Sequence, residues 1–302
     1  MAIPAILAVA AALPLLATAP PLKPAAAAEE AIAVVVGRDD RMTVPVHIGK
    51  AGPYEFLIDT GSERTVLSRG IARQLNLMPA GSATLIGIAG SETVDLVEVD
   101  EINLGRRSFY GLTAPLIEGH NIGADGILGI DSLQEQRVLL DFDQKHMLIG
   151  DATSLGGNKG FEIVVQARRR SGQLIMTNAL IDGVRTDIVV DTGSDVSIGN
   201  RALQRALARR HKIETTKLVS VTGQSIFADI GYARVFKLDS VLINNTEIAF
   251  ADTLAFEKLG LGKRPALLLG MNQLRLFRRV AIDFSTRRVL FDVPHSVLAG
   301  QR

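Results

Sequence analysis

The sequence predicts an all-β protein made of two similar lobes with only short helices. Three observations point there. The stretch FLIDTGSERTVLS at 56–68 returns as DIVVDTGSDVSIG at 187–199. Short apolar segments separated by turn residues surround both copies in the same order. Between the two copies, DATSLGGNKG at 151–160 has the Gly, Ser and Asn content of a linker. A length of 302 residues agrees with two domains.

IAVVVGRDDRMTVPVHIGKAGPYEFLIDTGS and FEIVVQARRRSGQLIMTNALIDGVRTDIVVDTGS each read as strand, polar turn, strand, Gly-containing turn, strand, then Asp. GIARQLNLMP and RALQRALARR follow, each a short helical pattern with apolar residues three or four apart. ATLIGIAGSETVDLVEVDEINLG and TKLVSVTGQSIFADIGYARVFKL are each two apolar strands about a Gly-centred turn, at Gly90 and Gly223. ADGILGIDSL pairs with PALLLGMNQL, and RVLLDFDQKHMLIG with RVAIDFSTRRVLFD. Asp59 and Asp191 are 191 − 59 = 132 residues apart. Residues 29–150 and 161–302 therefore read as two copies of one β-rich unit. The bland reading of each DTGS is a strand ending in an ordinary Asp-Gly turn. Yet a given four-residue string has a chance of about one in a few hundred in a chain this long, and here it recurs in matching context.

Composition removes most other chemistries. With no Cys there are no disulfides, thiol nucleophiles or thiolate metal sites. The five His (47, 120, 146, 211 and 295) lack metal-ligand spacing, so no metal or other cofactor is expected. There is no G-x-S-x-G, S-x-x-K, Walker or G-x-G-x-x-G motif. A formal charge of +1 offers no electrostatic basis for nucleic acid or an acidic membrane surface. Arg168–Arg170 and the run at 209–212 read as solvated faces. Carboxylates remain.

Residues 1–28 are expected to be a signal peptide. Residues 5–19 are almost wholly apolar, interrupted by Pro14 and ended by Pro20-Pro21, which is short for a membrane span. Small residues allow cleavage after Ala19 or Ala28, the latter preferred because Pro20 is an awkward residue just past a cut. Lys23 is the first positive charge, which leaves retention as an anchor open. The expected location is outside the cytoplasm, periplasmic or secreted.

These motifs together resemble the retropepsin-like aspartic proteases and, as a duplicated single chain, the two-lobed pepsins. The resemblance spans residues 32–292: two apolar-apolar-Asp-Thr-Gly-Ser elements, a hairpin, then ILG at 127–129 or LLG at 268–270 before Asp131 or Asn272. It implies two β-barrel lobes related by a pseudo-twofold axis. It also implies an aspartic endopeptidase in which Asp59 and Asp191 share one proton and activate water between them; the handling of such a dyad is general chemistry of this enzyme class. By the same resemblance, Thr60 and Thr192 would bond across the lobes. Gly61 and Gly193 would let the backbone approach the dyad and donate N–H to it. Ser62 and Ser194 would bond the outer carboxylate oxygens. The hairpins at Gly90 and Gly223 would be flaps over an extended peptide. Neither carries the Tyr typical of the pepsin flap, which favours the retropepsin side. A monomer suffices, since both halves are in one chain. The alternative is a catalytically silent binding or scaffold protein that keeps this fold.

Overall fold

The computed structural model of the protein describes residues 30–33, 35–36, 42–207 and 214–294. The expected signal peptide lies outside them, as does the chain from 208 to 213 at the end of the second helical pattern. The architecture is the expected one of two β-lobes with short helices.

Each lobe is organised around the apolar strand that ends in Asp. Strand Ala51–Ile58 lies between Met42–Ile48, antiparallel, and Gly126–Leu128, parallel. In the second lobe, Val184–Val190 lies between Gln173–Ile181, antiparallel, and Ala266–Leu269, parallel. Because the last three residues of each strand are buried on both faces, they cannot alternate apolar with polar. Phe56 and Ile58 enter the main core while Leu57 enters a satellite cluster with Val66, Ile117 and Ile127. Ile188 and Val190 likewise enter the main core, and Val189 a cluster with Ile198 and Leu268. That two-sided burial is why three consecutive apolar residues precede each Asp.

The short helices sit where the repeat places them, at Arg69–Gln74 and from Arg201. Ser68 caps the first by accepting the N–H of Ile71 at 3.3 Å. Asn200 does the same for Leu203, at 2.8 Å.

The lobes are joined by a shared sheet. Its strands run in the order Glu30–Ala33, His146–Gly150, Arg137–Asp141, Arg279–Asp283, Arg288–Asp292 and Ile163–Arg170. At the centre Leu139 pairs with Ala281, and Arg137 of the first lobe faces Asp283 of the second. Equivalent strands thus meet antiparallel about a pseudo-twofold axis. Arg137 and Asp283 are both almost fully buried, with Nη2 to Oδ2 at 2.8 Å and Nε to Oδ2 at 3.1 Å. Burial alone would raise the Asp283 carboxyl, but the Thr286 N–H, the Ser285 hydroxyl and Arg137 hold it below the usual carboxylate range.

The expected linker, 151–160, is a run of turns rather than a loose tether. Asp151 accepts the N–H groups of Thr153 at 3.0 Å and Ser154 at 2.8 Å. Leu155 packs with Leu139, Leu148, Ala281 and Leu290 under the shared sheet. The Gly157 carbonyl accepts from Arg137, which also reaches Asn158. One guanidinium therefore fastens both lobes and the chain between them. Replacing Arg137 by Met leaves Asp283 buried and unpaired, and should cost about 3–5 kcal/mol in chemical denaturation. A loss under about 1 kcal/mol would mean that the pair does not hold the lobes together.

Candidate active site

The two DTGS turns meet where the lobes face each other. The Thr60 N–H donates to Thr192 Oγ1 at 3.0 Å, and the Thr192 N–H to Thr60 Oγ1 at 3.3 Å. Each hydroxyl then donates to the opposite strand: Thr60 Oγ1 to the Val190 carbonyl at 2.9 Å, and Thr192 Oγ1 to the Ile58 carbonyl at 2.8 Å. All four bonds are buried, so each loop's position is fixed by the other lobe.

This lattice brings Asp59 and Asp191 together. A Cβ placed on Gly61 would stand 2.7 Å from Asp191 Oδ1 and 3.1 Å from Asp59 Oδ1; one on Gly193 would stand 2.3 Å from the Asp59 carboxyl carbon. Only glycine leaves room at either place. Each glycine N–H also donates to a carboxylate, Gly61 to Asp59 Oδ1 at 2.8 Å and Gly193 to Asp191 Oδ1 at 3.1 Å. The Ser62 N–H adds a bond to Asp59 Oδ1 at 3.0 Å.

The serine hydroxyls correct the sequence-based expectation. Ser62 Oγ donates to the Arg64 carbonyl at 2.8 Å and Ser194 Oγ to the Val196 carbonyl at 2.7 Å. A hydroxyl has one proton, and in each case a tight turn two residues on claims it. The carboxylates draw their N–H donors from the backbone.

The charges are unequal. Burial first, and Asp59 beside it second, push the Asp191 carboxyl up to about 8, against the bonds from Gly193 and Ser194. The pair thus holds a proton between its two carboxyls, and its burial favours the protonated form at Asp191.

The rest of the motif braces the loops. Asp131 accepts from the Thr65 N–H at 2.9 Å and the Thr65 hydroxyl at 2.7 Å. The pseudo-equivalent Ser197 hydroxyl lies 3.3 Å from Asn272 Oδ1. Thr65 Oγ1 and Ser197 Oγ in turn accept the N–H groups of Gly129, at 3.1 Å, and Gly270, at 2.9 Å.

The two hairpins arch over the dyad and touch. The first pairs Pro79–Gly87 with Gly90–Leu104, its turn centred on Ile88-Ala89 with Gly90 opening the return strand. The second pairs Glu214–Val219 with Ser225–Leu238, and Gly223 lies within its turn. Gln224 Nε2 donates to the Ser91 carbonyl at 3.4 Å, and Gly223 lies against Asn121 of the first lobe. The tips cross over: Ile88 packs on the second lobe's cluster with Val196 and Leu218, and Val221 on the first lobe's cluster with Leu85. Beneath them a cavity of about 400 Å³ has Asp59 and Asp191 in its wall, together with Leu85, Ile88, Leu218 and Val221. A neighbouring space of about 380 Å³ is reached past Ser62 and Gln173. At its edge Lys258 bonds Glu63 across the lobes at 2.8 Å.

Sequence reasoning missed Gln173, Lys258 and the crossing tips Ile88 and Val221. Nothing in the string marked Gln173, whose partner lies 112 residues away. Lys258 had no signal either, because helix Leu254–Lys258 falls outside the segments that the repeat pairs. Among the described residues no group of three or more His, Cys, Asp or Glu is arranged to hold a metal ion.

The chain matches the family model described as aspartyl protease over residues 44–132 and 177–273, more than half its length and including both DTGS elements. It belongs to the aspartyl protease family. No curated protein matches it. Among solved structures it is similar to a retropepsin-like aspartic protease from Rickettsia conorii, at 19% identity over 43% of this chain and 89% of that one, with a TM-score of 0.31.

Proposed function

We propose that the protein is an aspartic endopeptidase that hydrolyses peptide bonds in extended segments. The observation that carries this reading is the pair Asp59 and Asp191, held at one point in the wall of a cavity roofed by two hairpins. Water held between them gives a proton to Asp59 as its oxygen attacks the carbonyl carbon, while Asp191 protonates the carbonyl oxygen. The result is a neutral tetrahedral diol. The proton on Asp59 then passes to the nitrogen, the carbon–nitrogen bond breaks, and a diol hydroxyl returns a proton to Asp191 as the new acid forms. No cofactor enters this scheme. The apolar cavity wall suits a peptide with aliphatic side chains on either side of the cut.

Both carboxylates come from one chain, so a monomer should be active at high dilution. The apolar run at 5–19 supports export to the periplasm or medium, with the mature chain starting near Glu29. Incubating that mature protein with a peptide library, with and without a statine-type inhibitor, tests the reading. Cleavage within peptides that the inhibitor stops is the expected result. Tight inhibitor binding without cleavage of any peptide would favour the silent binding protein instead.

A further inference from the structure

A hairpin of the second lobe reaches into the first lobe's catalytic loop. Its strands are Ile163–Arg170 and Gln173–Ile181, joined through Ser171-Gly172. The turn rests on the first lobe: a Cβ on Gly172 would stand 2.4 Å from Ile130 Cδ1, and Arg169 Nη2 donates to Gln134 Oε1 at 2.5 Å. The next residue, Gln173, is 7% exposed and donates its amide N–H to the Gly61 carbonyl. That carbonyl belongs to the same peptide unit as the Ser62 N–H, which donates to Asp59 Oδ1 at 3.0 Å. A hydrogen bond to one end of a peptide polarises the other, strengthening the next bond by roughly 10–30%. The carbonyl's second lone pair stays available to a bound peptide.

We infer that Gln173 is a positioning residue: its amide polarises the Gly61–Ser62 peptide, sharpens the Ser62–Asp59 bond, and so favours the carboxylate form of Asp59. The inference rests on the peptidase reading of the dyad. Its consequence is that the charge on one lobe's aspartate depends on how the other lobe is docked. The charged and titratable groups around the dyad are Asp191 and Asp195 of the second lobe, Glu63 and Arg64 on the Asp59 loop, Lys217 on the second hairpin and Lys258. Gln173 is neutral, so replacing it with a neutral residue alters none of these charges.

Gln173→Met keeps the length of the side chain and removes the donor. With the bond to Asp59 weakened, the carboxylate form is less favoured, so the lower of the pair's two titration steps moves up, by about half a pH unit. Followed by carbon-13 NMR of labelled aspartates in the full mature chain, that step should rise. The acid limb of kcat/KM on a library peptide should move with it, lowering kcat/KM on that limb about threefold while the plateau changes little. Gln173→Glu supplies a donor only when protonated, so it should resemble the wild type at low pH and lose activity above the titration of that Glu. A purely structural Gln173 would lower the melting temperature and leave the lower step and the acid limb in place; that result overturns the inference. Should Gln173→Met not fold, the pH dependence of Gln173→Glu decides alone. A shifted titration step in a chain that cuts no peptide would keep the positioning role and remove the peptidase reading.

Discussion

Asp59→Asn and Asp191→Asn should each abolish peptide hydrolysis, and the double variant should be no worse than either single one. The reason is the shared proton. Asp59 must accept a proton from water while Asp191 donates one, and an amide at either place leaves half of the exchange undone. Groups that act as a unit lose their effect together, so each loss should be about 10⁴-fold or more in kcat, without multiplication in the double variant. The fold should survive all three changes, because Asn keeps the size of the side chain. In the active protein kcat/KM should trace a bell against pH. Its alkaline limb should lie near 8, where Asp191 gives up its proton. Library cleavage by either single variant at near-normal rates would rule out the two-carboxylate mechanism.

The second large effect is on stability. The Asp191 carboxyl is raised in the folded protein to about 8 from the ordinary carboxylate value of 3.8, by burial first and by Asp59 second. The folded state therefore binds a proton that the unfolded chain releases. This group's contribution is fully present below the unfolded pKa and is lost as the pH rises through the folded one. The window is accordingly pH 4 to 8, with stability falling as the pH rises, opposite to the ordinary carboxylate. The size is on the order of a few kcal/mol across the window. Asp191→Asn removes the titrating group and should flatten this slope, being more stable than the wild type at pH 8 and similar near pH 4. Denaturant midpoints measured at both pH values for the two proteins check it. Equal slopes would mean that Asp191 is not held protonated by its surroundings.

Much of the molecule was legible in the residues. The two DTGS strings, the continuous apolar residues before them and the Gly-bearing hairpins downstream located both lobes and both aspartates. They are local signals: a strand buried on both faces has to be apolar throughout, and a backbone pressed against a carboxylate requires glycine. Other features were not legible. Ser62 and Ser194 occupy positions where a hydroxyl could serve the dyad, and only the folded turns show that the carbonyls of Arg64 and Val196 take those protons. Gln173 lies 112 residues from the glycine it bonds, and Lys258 lies 195 from Glu63. No periodicity links residues so far apart.

The sequence by itself thus determined the duplication, the order of the strands and the two carboxylates, because each is written in adjacent residues and then repeated. Tertiary structure alone decided how the halves differ. Asp59 and Asp191 stand in nearly identical strings, yet burial pushes the Asp191 carboxyl up to about 8. The physical cause is environmental: burial, the neighbouring charge and the donors that converge on each carboxylate come from both lobes, and they exist only once the lobes have docked.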